Sequence, residues 1–231
     1  MKNGHKIEEE ALRDVRRMLS YAESLGLHYH NIEHTVGVAK EAGRLADIEG
    51  IGGSDRTHLT LAALYHDTGM LIRQKGHEEV GAAIARNWLE SSQYGNQDIK
   101  EVERLIVFGT RMPPNPRDLL EEIICASDHR NICKPEFFSD NIRLKREREA
   151  LEGRQIPMLE WYAATRDGYL EALLKNERFM HAIRRFGMES GMRENYSKLS
   201  TLIEDLALDN LPRYVPRTDS TFGRLSTARR T

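Results

Sequence analysis

An all-α fold is predicted by three properties of this 231-residue sequence. Apolar residues recur at intervals of three and four along nearly the whole chain, which is the spacing of a helix face. No stretch alternates apolar and polar residues as a half-buried strand does. Glycine and proline breaks separate the periodic segments at helical lengths. Hydrophobic residues make up 39%, charged ones 30%, and the formal net charge is −2, a globular balance with no overall nucleic-acid signal.

Ile7, Ala11, Val15, Met18, Leu19 and Ala22 place a first helix over about 7 to 24, and Gly26 ends it. Asn31 can cap a second helix, which buries Ile32, Val36, Ala39 and Leu45. After the Gly50–Ser54 loop, a third helix over about 55 to 67 carries His66 and Asp67 at its end. The Arg73-Gln74-Lys75-Gly76 turn leads into a fourth, about 77 to 91. A fifth covers about 97 to 108 and is stopped by Gly109 with Pro113, Pro114 and Pro116. A sixth, about 117 to 130, presents Asp128.

Further on, a charged helix is expected over about 141 to 152. Pro157 can start a long helix through Trp161, Tyr162, Tyr169, Leu170 and Leu173, and another spans about 192 to 208. The chain thus divides into a helical core over 1–135, a helical extension over 136–210, and a tail over 211–231. The extension packs on the core or against a second copy in a homodimer. The tail holds Arg213, Arg217, Arg224, Arg229 and Arg230 against Asp219. With few aromatic residues and no periodicity, it reads as a flexible basic segment rather than a nucleic-acid arm.

No apolar run approaches the ~18 residues of a membrane span, and the first residues lack the apolar centre of a signal peptide. Cys125 and Cys133 form no close metal pair, so the expected setting is a reduced, cytoplasmic one. Cys125 fits the core as a small hydrophobe.

The chemistry concentrates in Leu61-Ala62-Ala63-Leu64-Tyr65-His66-Asp67-Thr68-Gly69, where an apolar helix ends in an imidazole beside a carboxylate. Burying that pair without a partner costs several kcal/mol, and a metal ion is the obvious partner. On a regular helix the two side chains point about 100° apart. They converge if the ion lies between them or the helix distorts at its end, which Thr68-Gly69 permits. His34, in Tyr29-His30-Asn31-Ile32-Glu33-His34, and Asp128, in Ile123-Ile124-Cys125-Ala126-Ser127-Asp128, also interrupt or end apolar stretches. One buried histidine is more often a hydrogen-bonded core residue, and Asp128 alone could cap a turn; the four together point to a metal site. His30 and His34 are four apart, so on one helix they would share a face with a rise of about 6 Å between them.

These residues resemble the HD superfamily of metal-dependent phosphohydrolases, whose signature is the ordered set His…His-Asp…Asp; the resemblance covers roughly residues 25 to 135. Tyr29-His30-Asn31-x-x-His34, with Val36 and Val38, is similar to the opening motif of class I cyclic-nucleotide phosphodiesterases, which also marks a small group of bacterial HD phosphohydrolases. The stretches His77-Glu78-Glu79-Val80-Gly81-Ala82 and Leu119–Cys125 are closer to the bacterial group. The resemblance makes His34, His66, Asp67 and Asp128 ligands of a divalent ion, with Asp67 able to bridge to a second. Mixed imidazole and carboxylate donors suit Mn, Fe, Ni or Zn; Mg remains a candidate. By the same likeness His77 holds a second metal or phosphate, although a surface histidine at a helix start fits it equally.

The expected catalytic residues are Asp67 and His30. The phosphodiesterase motif assigns His30 the protonation of the departing oxygen, and a ring with a pKa near 6.5 suits that role; orienting His34 or Glu33 is the alternative. Arg73, Lys75, Arg111 and Arg130 are candidates for substrate phosphate contacts, each also readable as plain surface charge. The implied reaction is hydrolysis of a phosphoester or phosphoanhydride of a nucleotide or related small molecule, the ion lowering the pKa of a water from about 15.7 toward 7. A cyclic-nucleotide phosphodiesterase is one special case, and a nucleotidase or alarmone hydrolase comes next. A non-catalytic sensor that binds nucleotide through the same metal is the reading from another class.

The chain also departs from these relatives. Where the bacterial group reads Asp-Ala-Asp, this sequence has Ala126-Ser127-Asp128 followed by His129-Arg130. Nothing after Asp128 matches the purine-clamping residues of the phosphodiesterases, and the Gly-Tyr-Pro triplet and His-His pair of the cyclic-di-GMP class are absent.

Overall fold

Helix α1, Gly4–Leu19, turns Ile7, Ala11, Val15 and Leu19 inward at the spacing of an amphipathic helix. The computed structural model describes residues 4–209, so the basic tail expected over 211–231 lies outside the described residues. Within them every regular element is helical and none is a strand.

Helix α2, Ile32–Ile48, begins where expected because the Asn31 side chain accepts from the amides of Glu33 (2.9 Å) and His34 (3.2 Å). His30 consequently sits in the bend before α2, not on a helical face shared with His34 as the spacing had suggested. Helix α3, Gly53–Tyr65, is the centre of the bundle and touches α1, α2, α4, α5 and α6. That position explains its apolar second half: Leu59 and Leu61 through Tyr65 are all buried. Helix α3 stops at Tyr65, two residues earlier than expected, and the chain tightens into a 3₁₀ turn over Thr68–Leu71.

Helices α4 (His77–Ser91) and α5 (Asn96–Gly109) pair along α3. Two glycines bring α4 close. A Cβ at Gly81 would stand 2.7 Å from the Tyr65 carbonyl oxygen, and one at Gly69 would stand 2.0 Å from that of His77. Helix α6 runs Leu119–Asp128, shorter than the expected 117 to 130, so Arg130 falls in the 3₁₀ turn His129–Cys133 that follows.

The remaining helices are α7 (Phe137–Glu152), α8 (Met158–Ala163), α9 (Glu171–Lys175), α10 (Glu177–Arg185) and α11 (Glu189–Asp209). The long helix expected from Pro157 is continuous through α8 and α9 but passes through a π-helical stretch, Ala164–Leu170, between them. It then breaks at Asn176, whose side chain caps α10 at Phe179 N (3.0 Å) and donates to the Pro114 carbonyl (2.7 Å). The expectation had no α10. Helix α10 lies on α6, while α7 and α11 lie on the His129–Cys133 turn. One apolar cluster runs through all these segments, from Ile7 to Ile203. No helix among the described residues is long and apolar enough to cross a membrane.

Candidate metal centre and adjoining cavity

Three of the sequence-selected side chains, His34, His66 and Asp128, bring ligand atoms within 4.8 Å of one another, and Asp67 Oδ2 stands beside both imidazoles. His34 comes from the first turn of α2, His66 and Asp67 from the end of α3, and Asp128 from the last residue of α6. His34 Nε2 lies 3.2 Å from Asp67 Oδ2 and 3.3 Å from Asp128 Oδ1. His66 Nε2 lies 3.0 Å and 3.3 Å from the same oxygens, and 3.4 Å from His34 Nε2. Around an ion with bonds near 2.1 Å, neighbouring donors are about 3.0 Å apart in an octahedron and about 3.4 Å in a tetrahedron. The observed spacings fall in that interval.

The donor chemistry fits a divalent cation as well. Asp67 Oδ2 is buried and has no hydrogen-bond donor. His66 Nδ1 donates to the Ala63 carbonyl at 2.8 Å, which leaves Nε2 as the nitrogen that can ligate. The two imidazoles present Nε2 to each other, an arrangement that wants a cation between them rather than a hydrogen bond. Three of the four residues are almost fully buried; Asp128, with 18% of its side chain exposed, marks the open side.

The end of α3 achieves the convergence by bending. His66 remains helical, whereas Asp67 takes φ −98° and ψ −1°, and the Thr68 hydroxyl donates back to the Tyr65 carbonyl at 2.7 Å. Asp67 is thereby turned to face two ways: Oδ2 joins the cluster and Oδ1 lies 3.4 Å from His77 Nε2. His77 Nδ1 donates to the Gln74 carbonyl (2.8 Å), so the ring is fixed with Nε2 toward Asp67. Its placement suits a second ion or a phosphate on the far oxygen of Asp67.

Electrostatics follow from this crowding. Burial opposes charge on His34 and His66, but Asp67 and Asp128 outweigh it and raise both imidazole pKa values. Burial also opposes charge on the two carboxylates, yet the histidines hold both below the usual carboxylate range. His77, partly buried but bonded to Asp67, is pushed up to about 9.

His30 reaches the same place by a different route. Its Nδ1 bonds to Oε1 of Glu147 on α7, and Glu147 Oε2 accepts from the backbone amides of Tyr29 (2.9 Å) and His30 (3.0 Å). Burial disfavours charge on Glu147, but these bonds keep its carboxyl below the usual range. Among the described residues, no hydrogen bond engages the second ring nitrogen of His30.

A cavity of about 390 Å³ opens beside Asp67, Asp128, His30 and His77. Its walls are Met112, Ile132, Phe137, Leu144, Trp161 and Tyr169, with Glu78, Asp140 and Arg148 as charged side chains. Asn141 is set by Trp161, whose indole N–H donates to its Oδ1 at 2.7 Å. The four basic candidates divide. Lys75 lines an adjoining recess with His30, His77 and Glu147. Arg130 lines a recess on the His34 side. Arg73 is bonded to the Gly76 carbonyl (2.9 and 3.1 Å), and Arg111 lies 5.8 Å over the Phe108 ring; neither lines the cavity.

Sequence reading missed Glu147, Arg148 and Trp161. A signal existed: Leu144, Glu147, Arg148 and Leu151 lie at helical spacing and line one recess together.

Comparison with known proteins agrees with this geometry. The family model of the HD domain matches residues 31–131, the stretch that supplies all four cluster residues. No curated protein and no solved structure matches the chain. Residues 31–131 thus match the HD domain family, over somewhat less than half of the chain.

Proposed function

We propose that the protein is a metal-dependent hydrolase of a phosphoester carried by a nucleotide or similar small molecule. The observation that carries this reading is the His30–Glu147 pair at the edge of the ligand cluster. A sensor that only holds a nucleotide has no use for a buried carboxylate that orients a proton-carrying ring toward the cavity.

His34, His66, Asp67 and Asp128 would hold a divalent ion, which would supply positive charge for phosphoryl oxygens and a lowered pKa for a water. Mixed nitrogen and oxygen donors favour Mn, Fe, Ni or Zn over Mg. The protein's own groups do the rest. His30 is held through Nδ1 by Glu147, so its other nitrogen can carry the proton to the departing oxygen. Phe137, Leu144, Trp161 and Tyr169 form apolar and aromatic walls that suit a flat ring such as a nucleobase and exclude water from it. Asn141, held between the Trp161 indole N–H and the Thr165 hydroxyl, fixes the position of that wall.

The test is a hydrolysis screen of the metal-supplemented protein across cyclic nucleotides, nucleoside mono- and triphosphates and alarmones, with metal analysis of the same preparation. Turnover of at least one nucleotide that disappears on chelation is expected. Tight, metal-dependent nucleotide binding with no turnover would favour the sensor reading instead.

A further inference from the structure

The ligand cluster has a second opening. On the His34 side lies a polar recess of about 310 Å³, which shares Tyr29, Asn131 and Asp140 with the apolar cavity. Three cations and three carboxylates, Glu33, Glu136 and Asp140, line it, and the cations are not equivalent. Lys134 lies 3.1 Å from Glu41, and Arg143 lies 3.2 Å from Glu33 and 3.6 Å from Asp140. Arg130 has no such close partner, although its charge acts on Asp140 across the recess. Among the described residues no carboxylate comes within ion-pair distance of it, and its Nε is buried without an acceptor.

A guanidinium stays charged at any ordinary pH, and partial burial without an anion is costly. Yet the fold makes room for this one. It lies flat on α2 at Gly37, where a Cβ would stand 2.0 Å from Nη2 and 2.7 Å from Cζ. Gly37 follows His34 by one turn, and Arg130 follows Asp128 by two residues. The unpaired cation is therefore mounted on the same two segments that present ion ligands. The apolar cavity has no equivalent: its Arg148 lies 3.4 Å from Glu152.

We propose that Arg130 anchors a second anion subsite, and that the substrate carries, besides the phosphoryl group cleaved at the ion, a further phosphate gripped by this guanidinium. This deepens the phosphohydrolase reading and rests on it. A planar fork of donors beside a recess open to the ion site is the arrangement that recognises a phosphate by two parallel hydrogen bonds.

Calorimetry on the metal-replete full chain tests this with three probes: a nucleoside 5′-monophosphate, the matching 3′,5′-bisphosphate, and inorganic phosphate alone. The bisphosphate should bind about 10-fold or more tighter than the monophosphate. In Arg130→Gln that ratio should fall to near one at unchanged metal content. Arg130→Lys, which keeps the charge but loses the fork, should give an intermediate ratio and carries the test if the glutamine variant does not fold. A wild-type protein with no preference, or a preference that survives Arg130→Gln, overturns the proposal. So does inorganic phosphate binding that depends on Arg130 while the bisphosphate gains nothing, since the recess would then serve free phosphate. Binding is read apart from turnover: the Arg130-dependent preference decides the subsite, and the wider metal-dependent hydrolysis screen decides the enzyme reading.

Discussion

His30 and Glu147 are 117 positions apart in sequence and joined through Nδ1 and Oε1, so a residue of the extension holds the proposed acid in place. His30→Ala should keep its metal and lose roughly 10² to 10⁴ in turnover on substrates with a poor alkoxide leaving group. With a nitrophenolate leaving group, which needs little protonation, the loss should be much smaller. Glu147→Gln retains an oxygen for the amides of Tyr29 and His30 and should cost about 10- to 10²-fold, again mainly on poor leaving groups. Parallel rates on both substrate types decide it; equal losses would make His30 a positioning residue.

His66→Ala or Asp67→Ala should abolish both bound metal and activity, because each removes a donor from a cluster with spacings of 3.0–3.4 Å. Asp128→Ala should behave alike but retain some metal, since this side chain sits at the open edge. Metal content by elemental analysis is the measurement. Stoichiometric metal in either of the first two variants would place the ion elsewhere.

The cluster's charge gives a pH dependence with opposite signs in the ion-free and ion-bound protein. Without metal, the raised pKa values of His34, His66 and His77 contribute stability fully below the ordinary imidazole value of 6.5. That contribution is lost as pH rises through the folded values, for His77 about 9. The depressed carboxyls of Asp67 and Asp128 contribute above their ordinary 3.8 and lose that contribution as pH falls through their folded values. Metal binding requires neutral imidazoles and so releases protons. The rise in melting temperature on adding metal, itself a mass-action effect, should grow between pH 6.5 and 9. Thermal scans with and without chelator read this directly, and a gain that shrinks with rising pH would contradict it.

Gly81→Ala should destabilise the fold by about 1–3 kcal/mol, the usual cost of forcing extra volume into a packed contact. The added methyl would meet the carbonyls of Tyr65 (2.7 Å) and His66 (2.9 Å), which carry the ligand turn. Metal affinity should fall with stability. Denaturant unfolding together with a metal titration measures both, and unchanged values for the two would show that α4 can retreat without disturbing the turn.

The convergence of His34, His66, Asp67 and Asp128 was legible from sequence because each ends or interrupts an apolar helical run, and their order is itself a pattern. Asn31 was legible too, since a cap's preference is local. Glu147 was not: Leu144-Lys145-Arg146-Glu147-Arg148-Glu149 looks like a solvated face until α7 is laid over His30. The break at Asn176 was obscure for a similar reason. Its side chain is satisfied partly by Pro114, 62 residues away, which no local reading can supply. Arg73 and Arg111 show the reverse error, because proximity in sequence to the His-Asp turn did not bring them to the cavity.

The π-helical stretch Ala164–Leu170 fixes how this wall of the cavity tolerates insertions and deletions. Trp161, Thr165 and Tyr169 all line the cavity at intervals of four. On an α-helix such residues drift by about 40° per step, so Tyr169 would rotate away from Trp161 by twice that. The wider turn cancels part of the drift and keeps the three in file, as one surplus residue absorbed into a helix does. Removing a single residue from 166–168 would let the segment relax to a plain α-helix that is shorter by one position. Trp161, Thr165 and Tyr169 would then stand at i, i+4 and i+7, one face of an α-helix, and the wall would keep the same lining. This helix can therefore lose or carry one residue and still present the same three side chains to the cavity, with the ion site left untouched.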